Sequence, residues 1–307
     1  MTTEELAVRV LARNPRSLGR AISLIERGGA DAEALAAQLH PHTGRAHLVA
    51  ITGPPGAGKS TLVDALARHA RASGRTVGIL AVDPSSPFTG GALLGDRVRM
   101  ATLYTDPGVF IRSMATRGAL GGLAAAAHDA VDLLDAAGFD LVLIETVGVG
   151  QDEVDAARAA DTVVVVAIPG MGDDIQAGKA GLFEIGDVFV LNKADRDGAE
   201  RAARHLEFML HLAPDPGPAG WHPPLVKTVA ATGQGVSELA ERLGRHLTWL
   251  ATSGDRVRRR QARRRLRVER LLERKLHAQI NLEAELAAGD EPPQVLADRL
   301  FRRMIGG

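Results

Sequence analysis

Cysteine is absent from the 307-residue chain, which excludes disulfides, thiolate metal sites and cysteine nucleophiles together. Aromatic residues make up only 3%, so any core has to be built from Ala, Val, Leu and Ile. No apolar run approaches the roughly 18–20 residues of a membrane span. The N-terminus also lacks the basic-then-apolar pattern of a secretory signal. Neither sign of charge is in excess: 37 basic residues stand against 37 acidic ones, so no global attraction draws the chain to nucleic acid or anionic lipid. The ten histidines are scattered, without an H-x-x-x-H or similar pair; His128, His205 and His211 read as helix-surface residues. With no ligand cluster, a zinc or nickel carrier is disfavoured. What is left, 45% hydrophobic and 24% charged, is the balance of a soluble, cytoplasmic globular protein with one α/β core and helical additions.

Against that plain background one stretch stands out: Gly53, Pro54, Pro55, Gly56, Ala57, Gly58, Lys59, Ser60. It fits G-x-x-x-x-G-K-[ST], the phosphate-binding loop, at every fixed position. His47–Thr52 before it reads as a buried strand, and Thr61–Arg68 after it as a helix with an apolar stripe. The chemistry needs that order. Glycines let successive N–H groups turn toward phosphate oxygens, and the new helix adds its positive end. Lys59 would reach the β- and γ-phosphates and the Ser60 hydroxyl would ligate Mg²⁺. The alternative is a glycine-rich turn without a ligand.

Asn192, Lys193, Ala194 and Asp195 follow the apolar run Val188–Leu191, and so lie at a strand's carboxyl end, where ligands of open parallel sheets bind. Placed downstream of a phosphate loop, N-K-x-D resembles the guanine-recognition motif of P-loop GTPases. Guanine offers N1–H and an exocyclic amine, two donors that the Asp195 carboxylate accepts together. Adenine lacks that pair, and a site built for such donors rejects an analogue without them by about 10⁴ or more. Lys193 would lie along the purine face, and Asn192 would tie its loop to the phosphate loop and to guanine N7. The alternative is a polar turn after a strand.

The chain divides into an N-terminal helical segment, 1–44, a region of alternating strands and helices, 45–252, and a C-terminal helical segment, 253–307. Thr2–Glu5 offers a capping box, with further helices beginning near Pro15 and Ala32. Strands are expected at Val77–Val82, Val109–Ile111, Leu141–Ile144, Val163–Ile168, Val188–Leu191 and Leu225–Val229. Their continuous apolar runs indicate strands covered on both faces, hence a mostly parallel, doubly wound sheet. Asp255 to Ala288 reads as one long charged helix with an incomplete stripe of Leu266, Leu271, Leu272, Leu276 and Ile280. The basic run Arg256–Arg267 reads as a solvated helix and dimerisation arm rather than a nucleic-acid surface, since no aromatics interleave and acidic residues follow.

Three further segments close strands near the phosphates. Asp83, in V-D-P-S-S, is placed to hold a Mg²⁺-bound water or orient the attacking one. Glu145 stands where many GTPases carry the Asp of D-x-x-G, ahead of Gly148, whose N–H would meet the γ-phosphate. Gly170 to Lys179 is a polar loop suited to a nucleotide-dependent switch. Together with L-G-D-R-V-R-M at Leu94–Met100, F-I-R at Phe110–Arg112, L-G-G-L-A at Leu120–Ala124 and E-T-V-G-V-G-Q at Glu145–Gln151, these motifs run in order along the chain. In that order they resemble the MeaB/ArgK-type P-loop GTPases, the methylmalonyl-CoA mutase-associated GTPases of the SIMIBI branch.

The resemblance implies a Mg²⁺-dependent GTP hydrolase, binding GTP and GDP and acting as a nucleotide-gated homodimer. It further implies a chaperone for an adenosylcobalamin-dependent acyl-CoA mutase, gating cofactor loading and protecting the client, with no membrane involved. Two departures stand out. A serine- and proline-rich stretch after F-I-R reads Ser113–Gly118 here, and the S-A element backing the guanine reads Val229, Ala230, Ala231, Thr232, Gly233. Backbone N–H groups of Ala230 and Ala231 would take over that second role. Val149 occupies the position where a water-orienting Gln serves Ras-like enzymes, so basal turnover should be slow, with Lys179 on the switch loop as the group that completes the site. A transport-linked ATPase or kinase, and a nucleic-acid-binding regulator using the basic arm, are the competing readings.

Overall fold

The computed structural model describes residues 1–83, 103–115, 122–146, 159–170, 184–212, 216–217, 219–280, 282–287 and 289–305. Its centre is a seven-stranded sheet: β1 (His47–Thr52), β2 (Val77–Asp83), β3 (Val109–Ala115), β4 (Leu141–Thr146), β5 (Thr162–Ala167), β6 (Val188–Asn192) and β7 (Leu225–Thr228). The spatial order is β3-β2-β4-β1-β5-β6-β7 and every pairing is parallel. The expected α/β class, a parallel doubly wound P-loop GTPase sheet with helical extensions, is the one observed.

Alternate strand residues feed two apolar layers. Leu48, Ala50, Leu80, Val142, Ile144 and Val165 pack with α1 (Thr3–Leu11), α2 (Pro15–Arg27), α3 (Ala30–Leu39) and α5 (Gly122–Ala136). Val49, Ile51, Ile79, Leu143, Val164 and Val190 pack on the other face with α4 (Lys59–Ala72) and α7 (Val236–Ser253). A smaller cluster seats α6 (Ala199–Leu212) against Ala167 and Leu191. The strands are apolar on both sides because both sides are covered. The N-terminal helices thus supply three of the four helices named on that face. Their entry into β1 is pinned by the buried Asp135 carboxylate, which accepts from the N–H groups of Gly44 (2.6 Å), Arg45 (2.9 Å) and Ala46 (2.8 Å).

Local signals work as expected at the first helices. Thr2 and Glu5 form a reciprocal capping box, and Asn14 caps α2 ahead of Pro15. β3 runs four residues beyond the expected Val109–Ile111. The polar Arg112 and Ser113 interrupt the apolar pattern, but β3 is an edge strand that keeps its parallel pairing with β2. There Arg112 turns to α2, donating to Ser23 (2.8 Å) and Glu26 (3.1 Å).

A second polar centre lies at the opposite ends of the strands from the phosphate loop. The carboxylates of Asp161 and Asp187, just ahead of β5 and β6, are buried. Arg256 and Arg259, in the first turn of α8 (Asp255–Gln279), reach them: Arg259 pairs with both Asp187 oxygens at 2.8 Å, and Arg256 lies 3.2 Å from Asp161. The expectation that Arg256–Arg267 is simply a solvated helix is corrected for these two residues, whose role depends on carboxylates distant in sequence. His128 and His205 sit on helices half-buried, not on the surface as expected, while His211 is exposed.

The chain forms two compact units, Met1–Arg259 and Arg260–Gly307. In the second, α8 ends at Gln279 and α9 (Leu282–Ala287) follows, where the sequence reads one continuous helix to Ala288; α10 (Pro293–Ile305) is the short helix to about Met304 that the sequence places after Gly289, Asp290, Glu291, Pro292 and Pro293. Glu285 of α9 pairs with Arg299 (3.1 Å) and Arg303 (2.7 Å) of α10. No helix among the described residues is long and apolar enough to cross a membrane.

Candidate functional site

β1 ends at the centre of the sheet, between β4 and β5, and the loop that follows it occupies the crevice at the strands' carboxyl ends. Its two motif glycines are required by close neighbours. Gly53 has φ +144°, and a Cβ there would overlap the Val166 carbonyl of β5. Gly58 has φ +86°, and a Cβ there would lie 2.5 Å from the Asn192 amide nitrogen. Gly58 also precedes α4 without any side-chain cap, which leaves the first N–H groups of that helix to an anion.

Lys59, the first residue of α4, is buried, and its ammonium donates to the carbonyls of Gly53 (2.8 Å) and Pro54 (3.0 Å). It lies over the loop rather than in solvent. Ser60 donates from its hydroxyl to Glu145 Oε1 at 2.5 Å, which joins the loop to the end of β4. Thr61 is exposed on the first turn of α4. A serine hydroxyl and a buried carboxylate converging beside a phosphate loop are hard oxygen donors, the kind Mg²⁺ takes together with phosphate oxygens and water. The residues present therefore fit the ion.

The second half of the site comes from β6 and β7. Asn192 is buried and bonded at both ends of its amide: the nitrogen donates to Ala57 O (2.8 Å), and Oδ1 accepts from Thr228 Oγ1 (3.0 Å) and Ala230 N (3.1 Å). Lys193 has φ +58°, a left-handed conformation uncommon outside glycine, and its ammonium donates to Gly56 O at 2.7 Å. Asp195 is exposed two residues on, and Ala231 is exposed on the turn after β7. The Ala230 N–H, expected to face a base, is committed to Asn192. Thr228 was not singled out from sequence. A threonine in a strand carries no signal until the register Asn192↔Thr228 sets it beside the asparagine.

Lys59, Ser60, Glu145, Asn192 and Lys193 are thus brought together around one loop. Asp83 is the last residue of β2, one strand from Glu145; its side chain lies outside what the structure describes. Gly148, Val149, Gln151, Lys179 and the segments Leu94–Met100 and Gly118–Gly121 also lie outside the described residues.

A sequence profile of the family described as "Methylmalonyl Co-A mutase-associated GTPase MeaB" matches residues 18–285. A Pyrococcus horikoshii protein named as a GTPase is 47% identical over 99% of this chain and 98% of its own. The GTPase ArgK of Escherichia coli is 38% identical, covering 81% of this chain and 77% of that one. The mouse protein "Methylmalonic aciduria type A homolog, mitochondrial" is 33% identical over 83% of this chain and 64% of its own. A crystal structure described as a LAO/AO transport system kinase superposes with a TM-score of 0.73 at 25% identity, covering 98% and 97% of the two chains.

Proposed function

The chain belongs to the MeaB family of P-loop GTPases and hydrolyses GTP; from that premise we propose that it is a nucleotide-gated chaperone of an adenosylcobalamin-dependent acyl-CoA mutase. The observation that carries the nucleotide part is the junction at Asn192. One buried side chain holds the phosphate loop to the loop after β7, and Lys193 anchors the same loop a second time. That arrangement sets the distance between a triphosphate cradle and the Asp195 carboxylate, which selects guanine. Lys59 and the loop N–H groups orient the phosphates. Ser60 and Glu145, with Asp83, would hold Mg²⁺, which would neutralise phosphate charge. Ala230 and Ala231 line the base side.

The client reading is supported by the family's description and the mouse relative's name. A homodimer formed by the C-terminal segment completes the proposal, supported by the exposed Leu272, Leu276, Leu282, Leu286 and Phe301. The transport-kinase reading is favoured by the description of the superposed structure alone. A calorimetric titration with GTP and ATP separates the two, since selective GTP binding is expected and equal binding would sink the guanine assignment. GTP turnover with and without a purified mutase tests the client: stimulation is expected, and its absence with every such mutase would remove the chaperone role.

A further inference from the structure

The polar centre at the strands' amino ends is connected to more than the start of α8. Asp187 Oδ2 accepts the N–H of Val163 at 2.8 Å, which locks the start of β6 to β5. Arg256 also donates to Ala46 O at 2.7 Å, immediately before β1, and Arg259 to Asp161 O at 3.2 Å. The first turn of α8 therefore grips the starts of β1, β5 and β6 at once. The far ends of these three strands carry the phosphate loop, the Ile168–Gly170 turn and Asn192.

A hydrogen-bond chain crosses the same centre. His47 Nε2 and His246 Nδ1 each lie 2.8 Å from the Thr162 hydroxyl, and His246 Nε2 faces Asp187 Oδ1 at 3.4 Å. The Thr162 hydroxyl carries one proton, so it donates to one imidazole and accepts from the other. His246 Nε2 faces the Asp187 carboxylate that Arg259 holds, without hydrogen-bonding to it. Both tryptophans of the chain border it. Trp221 donates to Asp187 O at 2.7 Å, and Trp221 and Trp249 have ring centroids 4.6 and 5.6 Å from that of His246.

We infer that this centre is a transmission joint: the first turn of α8 and the guanine-nucleotide loops bear on opposite ends of β1, β5 and β6, so nucleotide binding and the seating of Arg256 and Arg259 are coupled. Arg256 and Arg259 act here as positioning residues, distant from the reacting phosphates. Coupling is reciprocal: if nucleotide alters the joint, loosening the joint alters nucleotide affinity by the same factor. The inference rests on the guanine-nucleotide reading above.

The test uses the full chain. Non-hydrolysable GTP is titrated while intrinsic tryptophan emission reads the joint and calorimetry reads binding. Emission should shift with the calorimetric midpoint. Arg259→Lys keeps the charge but loses the two-pronged contact, and should weaken binding about 5-fold or more and blunt the emission change. Val257→Ala, on the same turn but exposed, should do neither. Wild-type binding with unchanged tryptophan emission overturns the coupling whatever the variants do. So does wild-type affinity in folded Arg259→Lys. A wild-type chain that binds no guanine nucleotide calorimetrically removes the guanine reading and the joint together.

Discussion

Asp195 is exposed while Asn192, three residues before it, is buried with three hydrogen-bond partners, and this difference divides their tasks. Asn192 is structural to the site, and Asp195 is free to meet a base. Asp195→Asn should weaken GTP by roughly 3 kcal/mol, as a charged two-oxygen acceptor becomes a group with unwanted donors. Preference should turn toward xanthine nucleotides, read by competition binding; unchanged guanine selectivity would refute the assignment. Lys59→Ala should abolish tight GTP binding with only a modest drop in melting temperature, because the lost contacts are to loop carbonyls rather than core atoms. The motif residues were legible in sequence because each is fixed by local spacing. The histidines were not, since their roles depend on Thr162 and on carboxylates far along the chain. Burial pushes His47 down to about 3 and His246 down to about 4, despite the opposing pull of Asp161 and Asp187. Arg75, Arg256 and Arg259 add to the depression, and Asp255 opposes it at His246. An unfolded chain takes up protons at these histidines near pH 6.5 while the folded one stays neutral to about 4. Stability should therefore fall as pH drops from 6.5 toward 4, by on the order of a few kcal/mol. Calorimetric melting across that range checks this, and His246→Gln should flatten part of the slope.

At the scale of elements, the sheet was readable because buried parallel strands are apolar throughout, a pattern that needs no partner to be recognised. β3 was cut short for the converse reason: an edge strand tolerates Arg112, whose partner lies on α2. The long C-terminal helix was overextended because the charge pattern continues past Gln279, where α8 ends. The root of α8 has a further consequence. A chain ending at Gly254 would lose Arg256 and Arg259 and leave the buried Asp161 and Asp187 without their guanidinium partners. Breaking a buried pair in this way costs about 3–5 kcal/mol, so that truncation should melt well below one ending after Gln261, which keeps both arginines. Equal melting temperatures would show the contacts to be dispensable.

For the whole molecule, the decisive measurements concern assembly and partner. The full-length chain should sediment as a dimer at micromolar concentration, and the truncation after Gln261 as a monomer; a monomeric full-length protein would contradict the proposed dimer. Basal GTP hydrolysis should be slow, and a client mutase should raise it in the wild type but not in Lys179→Ala, with similar basal rates for the two. Equal stimulation would eliminate Lys179. The seating of α8 also bears on how such a protein could be re-engineered. Arg256 and Arg259 stand three residues apart and so project from one side of a helix, into Asp161 and Asp187, while Asp255 at the start of the same helix also accepts from Arg259 at 2.9 Å. Asp161 and Asp187 form a socket for the start of that helix. A foreign tail led by two arginines at that interval should plug into the same GTPase body, which would make the arm a replaceable cartridge and the mode of dimerisation a matter of what is attached.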